Sequence, residues 1–148
     1  MQKLVKTYPG LEIKVLLSDA RQALAACDVA LVKSGTCTLE AMMLGKPMVV
    51  TYRMGGMTAA VVNLLKYGKY VALPNILADR ELVPEILQQH ARPNVLAKAL
   101  LSQLASLESE NQHYLDMRSC YLKLHKSLRC DASKRAAQSV IEVATGHP

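Results

Sequence analysis

The stretch Asp28-Val-Ala-Leu-Val-Lys-Ser34-Gly35-Thr36-Cys37-Thr-Leu-Glu40-Ala41 constrains this chain more than any other. Its apolar, β-branched run, Val29–Val32, ends in a Ser-Gly-Thr turn that opens directly into a helical pattern. A run apolar on both faces suits a strand buried in a parallel sheet rather than a half-solvated hairpin strand. Thr36–Leu44 then reads as a helix closed by Gly45, and Pro47–Tyr52 as a second apolar strand. Upstream, Leu11–Leu17 reads as a strand, and Ser18-Asp19 offers a cap for a helix over Ala20–Cys27. Downstream come a helix near Thr58–Lys66 and a short strand at Tyr70–Leu73. Strands alternating with helices at this spacing predict βαβ units and a parallel sheet.

Beyond Pro74-Asn75 no further strand is expected. Glu81–Gln89, Asn94–Leu104, Glu110–Leu128 and Asp131–Ala144 all read as helices, with Pro93 near the start of the second. Val140, Ile141 and Ala144 place an apolar stripe on the last of them, suited to packing against a neighbouring domain. The predicted class is α/β, a partial Rossmann-like parallel sheet followed by C-terminal helices. Residues 1–104 are expected to form the sheet domain and residues 105–148 a helical tail. The opening departs from a doubly wound fold, which starts with a strand and a Gly-rich turn into a helix. Residues 1–8 instead read as the end of a helix, stopped by Tyr8-Pro9-Gly10. The expectation is the back part of a nucleotide-binding domain, with its first βα units missing.

Most of the net charge of +6 is carried by one half of the chain. Residues 1–74 hold nine Lys/Arg against four Asp/Glu, and residues 75–148 hold nine against eight. An anionic partner for the first half follows, whether phosphate, nucleic acid or acidic membrane, beside the plainer reading of a solvated basic surface. Phe and Trp are absent, so base-stacking platforms would rest on six Tyr, and nucleic acid is not expected as a partner. A hydrophobic fraction of 51% against 20% charged residues excludes disorder as the main description. The longest apolar runs fall far short of the ~20 residues needed to span a bilayer. No secretory signal is evident at the N-terminus. Cys27, Cys37, Cys120 and Cys130 form no Cys-x-x-Cys pair and show no zinc-like spacing with the four His. Reduced thiols in a cytosolic protein, with no metal, are the expectation.

Three stretches could carry chemistry. At the Ser34-Gly35-Thr36 turn, the unpaired N–H groups of the first helical turn favour an anion. Gly35 lets backbone approach a ligand, Ser34 and Thr36 add hydroxyl donors, and Glu40 stands one turn in, where it could accept from a ribose diol. The same residues would equally make a simple helix cap with Glu40 offsetting the dipole. Arg53 directly follows the second strand, at the edge where α/β sheets bind ligands, and its guanidinium could clamp a diphosphate or merely face solvent. The third stretch, Leu73-Pro74-Asn75-Ile-Leu-Ala-Asp79-Arg80-Glu81-Leu-Val-Pro84-Glu85, is dense in polar groups. It reads either as a site loop or as a turn at Asn75, with Asp79 capping a helix whose first turns hold Glu81 and Glu85.

Taken in order, Ser34-Gly35-Thr36-x-x-Leu39-Glu40, Pro47-Met-Val-Val-x-Tyr52-Arg53-Met54 and Leu73-Pro74-Asn75 through Glu85 resemble lipid-A-disaccharide synthase. The resemblance continues through Arg129-Cys130-x-Ala132 and Ala136-Ala137-Gln138, so it spans nearly the whole chain. It implies the C-terminal domain of a GT-B glycosyltransferase, which binds the UDP part of a sugar donor. It further implies transfer from UDP-2,3-diacylglucosamine to 2,3-diacylglucosamine 1-phosphate, without a metal, at the inner face of the cytoplasmic membrane. By the same resemblance Ser34, Gly35, Thr36 and Glu40 would hold diphosphate and ribose. Arg53, Asn75, Arg80 and Glu81 would line the cleft, with Arg53 the first choice for the leaving-group charge.

Nothing matches the family's N-terminal domain or the Gly-Ser-Arg turn that opens its C-terminal one, so this piece is not expected to turn over alone. A UDP-N-acetylglucosamine 2-epimerase-like enzyme would share Ser34–Glu40 without needing Tyr52-Arg53-Met54. A non-catalytic, membrane-associated nucleotide-binding module is a third reading. Met54, Met57, Val61, Val62, Leu64 and Leu65 beside Lys66, Tyr67 and Lys69 suggest contact with anionic lipid, or else ordinary core packing.

Overall fold

A computed structural model describes residues 10–16, 19–53 and 69–146. In chain order its elements are α1 (Ala20–Ala26), β1 (Ala30–Lys33), α2 (Cys37–Met43), β2 (Met48–Tyr52), α3 (Leu73–Ala78) and β3 (Glu85–Leu87). A 3-10 turn, Gln88–His90, leads into α4 (Pro93–Glu108), α5 (Gln112–Leu128) and α6 (Ala132–Thr145). The three strands form one parallel sheet in the order β1-β2-β3. The register pairs Ala30 with Met48, Lys33 with Thr51, Val50 with Glu85 and Tyr52 with Leu87. This is the partial Rossmann-like α/β arrangement the apolar runs imply.

β2 lies in the middle, and its Met48, Val49 and Val50 are fully buried. Because strand side chains alternate between faces, Ala30, Val32, Met48 and Val50 share one face. That face forms a single apolar cluster with Ala41 and Met42 of α2 and Tyr114, Met117 and Tyr121 of α5. Each of its Val and Met side chains contributes roughly 1.5–3 kcal/mol on full burial. Val49 points to the opposite face, where α4 packs on β2. The spacing of the buried residues explains the helices. Thr38, Ala41 and Met42 lie three and four apart on α2, as do Tyr114, Met117 and Tyr121 along one stripe of α5. Burial pushes the Tyr121 hydroxyl up from its ordinary pKa, and its oxygen has no hydrogen-bond partner among the described residues. No residue of α6 is buried.

Several expected elements differ. Residues 10–16 are irregular rather than a strand, and Leu17 and Ser18 lie outside the described residues. So do residues 1–9, read as a helix end, and the helix expected at Thr58–Lys66. Tyr70–Leu73 is not a strand: Ala72 is the N-cap of α3, with Pro74 in its first turn. Glu81–Gln89 is not a helix, and strands do continue past Asn75, since β3 occupies Glu85–Leu87. The reason is tertiary. The N–H groups of Leu82 and Val83 bond to Asn75 Oδ1 and the carbonyl of Val83 accepts from Asn75 Nδ2, which holds this stretch extended beside β2. Asp79 closes α3 in the left-handed conformation (φ 50°) rather than opening a following helix. α4 runs unbroken across residues 104 and 105, and α5 joins the same core as the sheet.

Candidate functional site

The turn after β1 is built where the sequence places it. Ser34 N–H bonds to Thr51 O at 3.2 Å, extending the β1–β2 ladder by one step and holding the turn at the carboxyl edge of the sheet. Gly35 has φ +144°, a conformation open to glycine and costly for other residues, and no described residue other than its chain neighbours lies within 4 Å of where a Cβ would stand. α2 then starts without a side-chain cap: Thr36 is the N-cap residue, and its hydroxyl makes no capping bond. The amides of Thr38, Leu39 and Glu40 bond back to Gly35 O and Thr36 O. Among the described residues, those of Gly35, Thr36 and Cys37 have no backbone acceptor. The turn thus presents N–H groups that have no acceptor among the described residues, as an anion site requires.

Ser34 is placed differently from the hydroxyl donor expected. Its Oγ donates to Val71 O at 2.8 Å, tying the turn to the segment that leads into α3. Its proton is engaged, so it can only accept from a ligand. Thr36 remains an available hydroxyl. Glu40 stands exposed one turn along α2, at a recess of about 610 Å³ that also includes Arg21, Met43, Leu44 and His125. Arg53 follows Tyr52 at the same carboxyl edge, level with Gly35 by the strand register, and is exposed. Lys33 adds a further cation there, its Nζ lying 5.1 Å from the centre of the Tyr52 ring.

The other three candidates lie elsewhere. Asn75 is fully buried, and all its hydrogen-bonding capacity is engaged internally. Nδ2 donates to Val83 O (2.9 Å) and Glu85 Oε1 (2.8 Å), and Oδ1 accepts from Leu82 N (2.8 Å) and Val83 N (3.0 Å). Val50 is level with Glu85, so Leu82 and Val83 come beside Met48, at the amino edge of the sheet. Arg80 and Glu81 precede them and sit at that far edge. Arg80 pairs with Asp116 at 2.8 Å on the surface; its guanidinium holds the Asp116 carboxyl below the ordinary carboxylate value. Glu81 borders a separate 340 Å³ recess with Leu82, Pro84, Gln103 and His113. The structure therefore brings Ser34, Gly35, Thr36, Glu40 and Arg53 to one end, links the buried Asn75 to Ser34 only through Glu85 and Val71, and places Arg80 and Glu81 at the far edge.

Glu85 is the residue whose role sequence reasoning missed. Its carboxylate accepts from Val71 N, Ala72 N and Asn75 Nδ2, so it supports the segment that holds Ser34 Oγ. The signal was present in the form of a lone carboxylate directly before the apolar pair Ile86-Leu87. Among the described residues no cluster of three His, Cys, Asp or Glu is placed to hold a metal ion. Nor is any described helix long and apolar enough to cross a membrane.

An open parallel sheet with helices on both faces and a glycine turn at its carboxyl edge defines a partial Rossmann-like α/β domain, whose ligands bind at that edge. Residues 1–140 match the family model of lipid-A-disaccharide synthetase, and the chain belongs to that family. It is 46% identical over 135 residues to the lipid-A-disaccharide synthase of Azotobacter vinelandii, covering 90% of this chain and 34% of that one. The synthase of Haemophilus influenzae strain PittGG is 40% identical over 141 residues, covering 95% of this chain and 36% of its own length. That of Paraburkholderia phytofirmans is 42% identical over 151 residues, covering all of this chain and 38% of its own length. The chain thus spans about a third of the length of these relatives.

Proposed function

We propose that this chain is the UDP-binding part of a glycosyltransferase of lipid A biosynthesis. The complete protein transfers 2,3-diacylglucosamine from its UDP donor to 2,3-diacylglucosamine 1-phosphate, giving lipid A disaccharide 1-phosphate and UDP. The observation that carries this reading is the Ser34-Gly35-Thr36 turn, with its unpaired amides at the carboxyl edge, Glu40 one turn in and Arg53 level with Gly35. The relatives' shared name supports the choice of reaction.

In the transfer, the acceptor hydroxyl attacks the anomeric carbon and gives its proton to a base, while the bond from that carbon to the diphosphate oxygen breaks. Negative charge grows on the departing UDP. Fixed N–H groups at the turn and the Arg53 guanidinium are aimed at that charge, which is stabilisation of the transition state rather than of the bound donor. Glu40 accepts from the ribose diol and fixes the nucleotide's position. The base lies in the remaining two-thirds of the protein, so this chain alone binds without turnover. Substrates with acyl chains place the reaction at the inner face of the cytoplasmic membrane, in peripheral contact with anionic lipid.

Titration calorimetry of UDP into the chain tests the reading. Glu40→Ala is expected to weaken binding by about 1–3 kcal/mol, the loss of hydrogen bonds to a charged group. Equal affinity for the variant and the parent would remove Glu40 from the site.

A further inference from the structure

We infer that the recess between the amino ends of β1 and β2 and the helix α5 binds a phosphate group that still carries a proton. The recess has a volume of about 290 Å³. It joins Asp28, ahead of β1, with Lys46 and Pro47, ahead of β2, Leu107 of α4, and Tyr114 and Arg118 of α5. It lies at the amino edge of the sheet, whereas the Ser34-Gly35-Thr36 turn stands at the other end of β1, about 13 Å away along a strand of four residues. The inference therefore goes beyond the nucleotide reading and does not rest on it.

The residue that points to a ligand is Tyr114. It is only 7% exposed, and it belongs to the apolar cluster beneath the sheet. Its hydroxyl makes no hydrogen bond among the described residues, yet it is not sealed in the core as the unpartnered hydroxyl of Tyr121 is. Tyr114 borders this recess, so the hydroxyl opens onto it. Asn111 Oδ1 accepts from Tyr114 N–H at 3.1 Å, which fixes the residue in the first turn of α5. Arg118 follows four residues later, so its side chain leaves the same face of the helix one turn on. Lys46 is held by its backbone, its N–H donating to Ala41 O where Gly45 closes α2. None of Lys46, Arg118 and Asp28 uses its side chain in a hydrogen bond or ion pair among the described residues.

The chemistry of the walls selects the ligand. Lys46 and Arg118 supply two positive charges with their donors, and Tyr114 adds a neutral one, a set that fits a tetrahedral oxyanion. Asp28 narrows the choice. An ionised carboxylate accepts and cannot donate, so a ligand oxygen facing it must carry a hydrogen. Phosphate and its monoesters keep such a proton at about pH 6, near the second ionisation of a phosphomonoester. Sulfate has no proton to offer there, and would meet Asp28 charge against charge. Free phosphate, a soluble phosphomonoester and a phosphate-terminated lipid headgroup share this chemistry.

Titration calorimetry of inorganic phosphate into the chain, at pH 6 and constant ionic strength, with and without excess UDP, tests the site. Saturable binding is expected in both conditions. Arg118→Gln and Lys46→Gln should each weaken it about tenfold, the loss of a bond from a charged donor, and Tyr114→Phe by a smaller factor. Sulfate should bind the parent about tenfold more weakly than phosphate, and Asp28→Asn should close that gap, because an amide can donate to sulfate. Far-UV circular dichroism checks that each variant is folded. Vesicles containing phosphatidic acid, compared with phosphatidylcholine alone, separate the sources: pelleting that depends on Arg118 identifies a headgroup, and phosphate binding without pelleting identifies a soluble ligand. Either result supports the site. Phosphate binding that survives both Arg118→Gln and Lys46→Gln, or that Tyr114→Phe leaves unchanged, would overturn it, as would a parent that takes up no phosphate. Binding that vanishes once UDP is added would place the anion at the turn and equally overturn the recess. Equal affinity of the parent for sulfate and phosphate would overturn the role of Asp28, and with it the protonated ligand.

Discussion

Replacing Asn75 by Ala should destabilise this fold more than any surface change, without touching a ligand. Asn75 is fully buried, as is Val83, and Leu82 is 2% exposed. The substitution orphans three backbone groups at once: Leu82 N–H, Val83 N–H and Val83 C=O. Glu85 loses one donor but keeps those of Val71 and Ala72. An unsatisfied buried polar group costs about 1–3 kcal/mol. Three of them at the low end, where the space left by the side chain admits water, give about 3–5 kcal/mol. Against the 5–15 kcal/mol that holds a typical domain folded, that is a large fraction. Equilibrium urea unfolding, followed by circular dichroism, reads the difference as a lower midpoint at an unchanged slope. A loss below about 1 kcal/mol would refute the argument, because it would mean that these backbone groups find other partners at little cost.

In the complete two-domain enzyme, Arg53→Ala should lower kcat by about 10²–10³ with a smaller change in donor KM, the usual cost of removing one preorganised donor. A near-normal kcat in steady-state assays with UDP-2,3-diacylglucosamine would pass the charge to the turn amides or to Lys33. Tyr121→Phe removes a buried hydroxyl that has no partner among the described residues, so stability should stay level or rise by up to about 1 kcal/mol; a clearly lower Tm would show that the hydroxyl does have a partner. Co-sedimentation with anionic vesicles should weaken when Lys66 and Lys69 both become Gln, and equal binding would count against contact through that segment.

The elements that local pattern alone can specify were legible from the residues. Val29–Val32 and Pro47–Tyr52 correspond to β1 and β2; β2 is buried through Met48, Val49 and Val50, whereas β1 buries only Ala30 and Val32 and leaves Leu31 47% exposed, so it is not covered on both faces as its apolar run implied. Gly45 closes α2 at φ +68°, with Lys46 N–H on Ala41 O, as a glycine after a short helical pattern implies. The Ser34-Gly35-Thr36 turn at the carboxyl edge follows from the same reasoning, since a strand that feeds a helix must turn there.

Residues 73–90 could not be read in this way. Leu73-Pro74-Asn75 has the composition of a strand end but forms the first turn of α3, and Glu85–Leu87 has a helical neighbourhood but forms β3. Their conformations are set by bonds across the chain, from Asn75 to Leu82 and Val83 and from Glu85 to Val71 and Ala72. The partners lie 7 to 14 residues apart, close enough to be read together, but a hydrogen bond from a side chain to backbone leaves no periodic pattern that marks which residues pair. The sequence by itself determined the parallel strands, the glycine turn and the carboxylate one turn beyond it, because periodicity and backbone sterics act over a few residues. Only the tertiary structure decided that Arg53 comes level with Gly35 in the strand register while Arg80 and Glu81 stand at the opposite edge, and that Arg21 and His125 line the same recess as Glu40. Strand register and helix packing set those distances, and both arise from burying one apolar face against another across long stretches of chain.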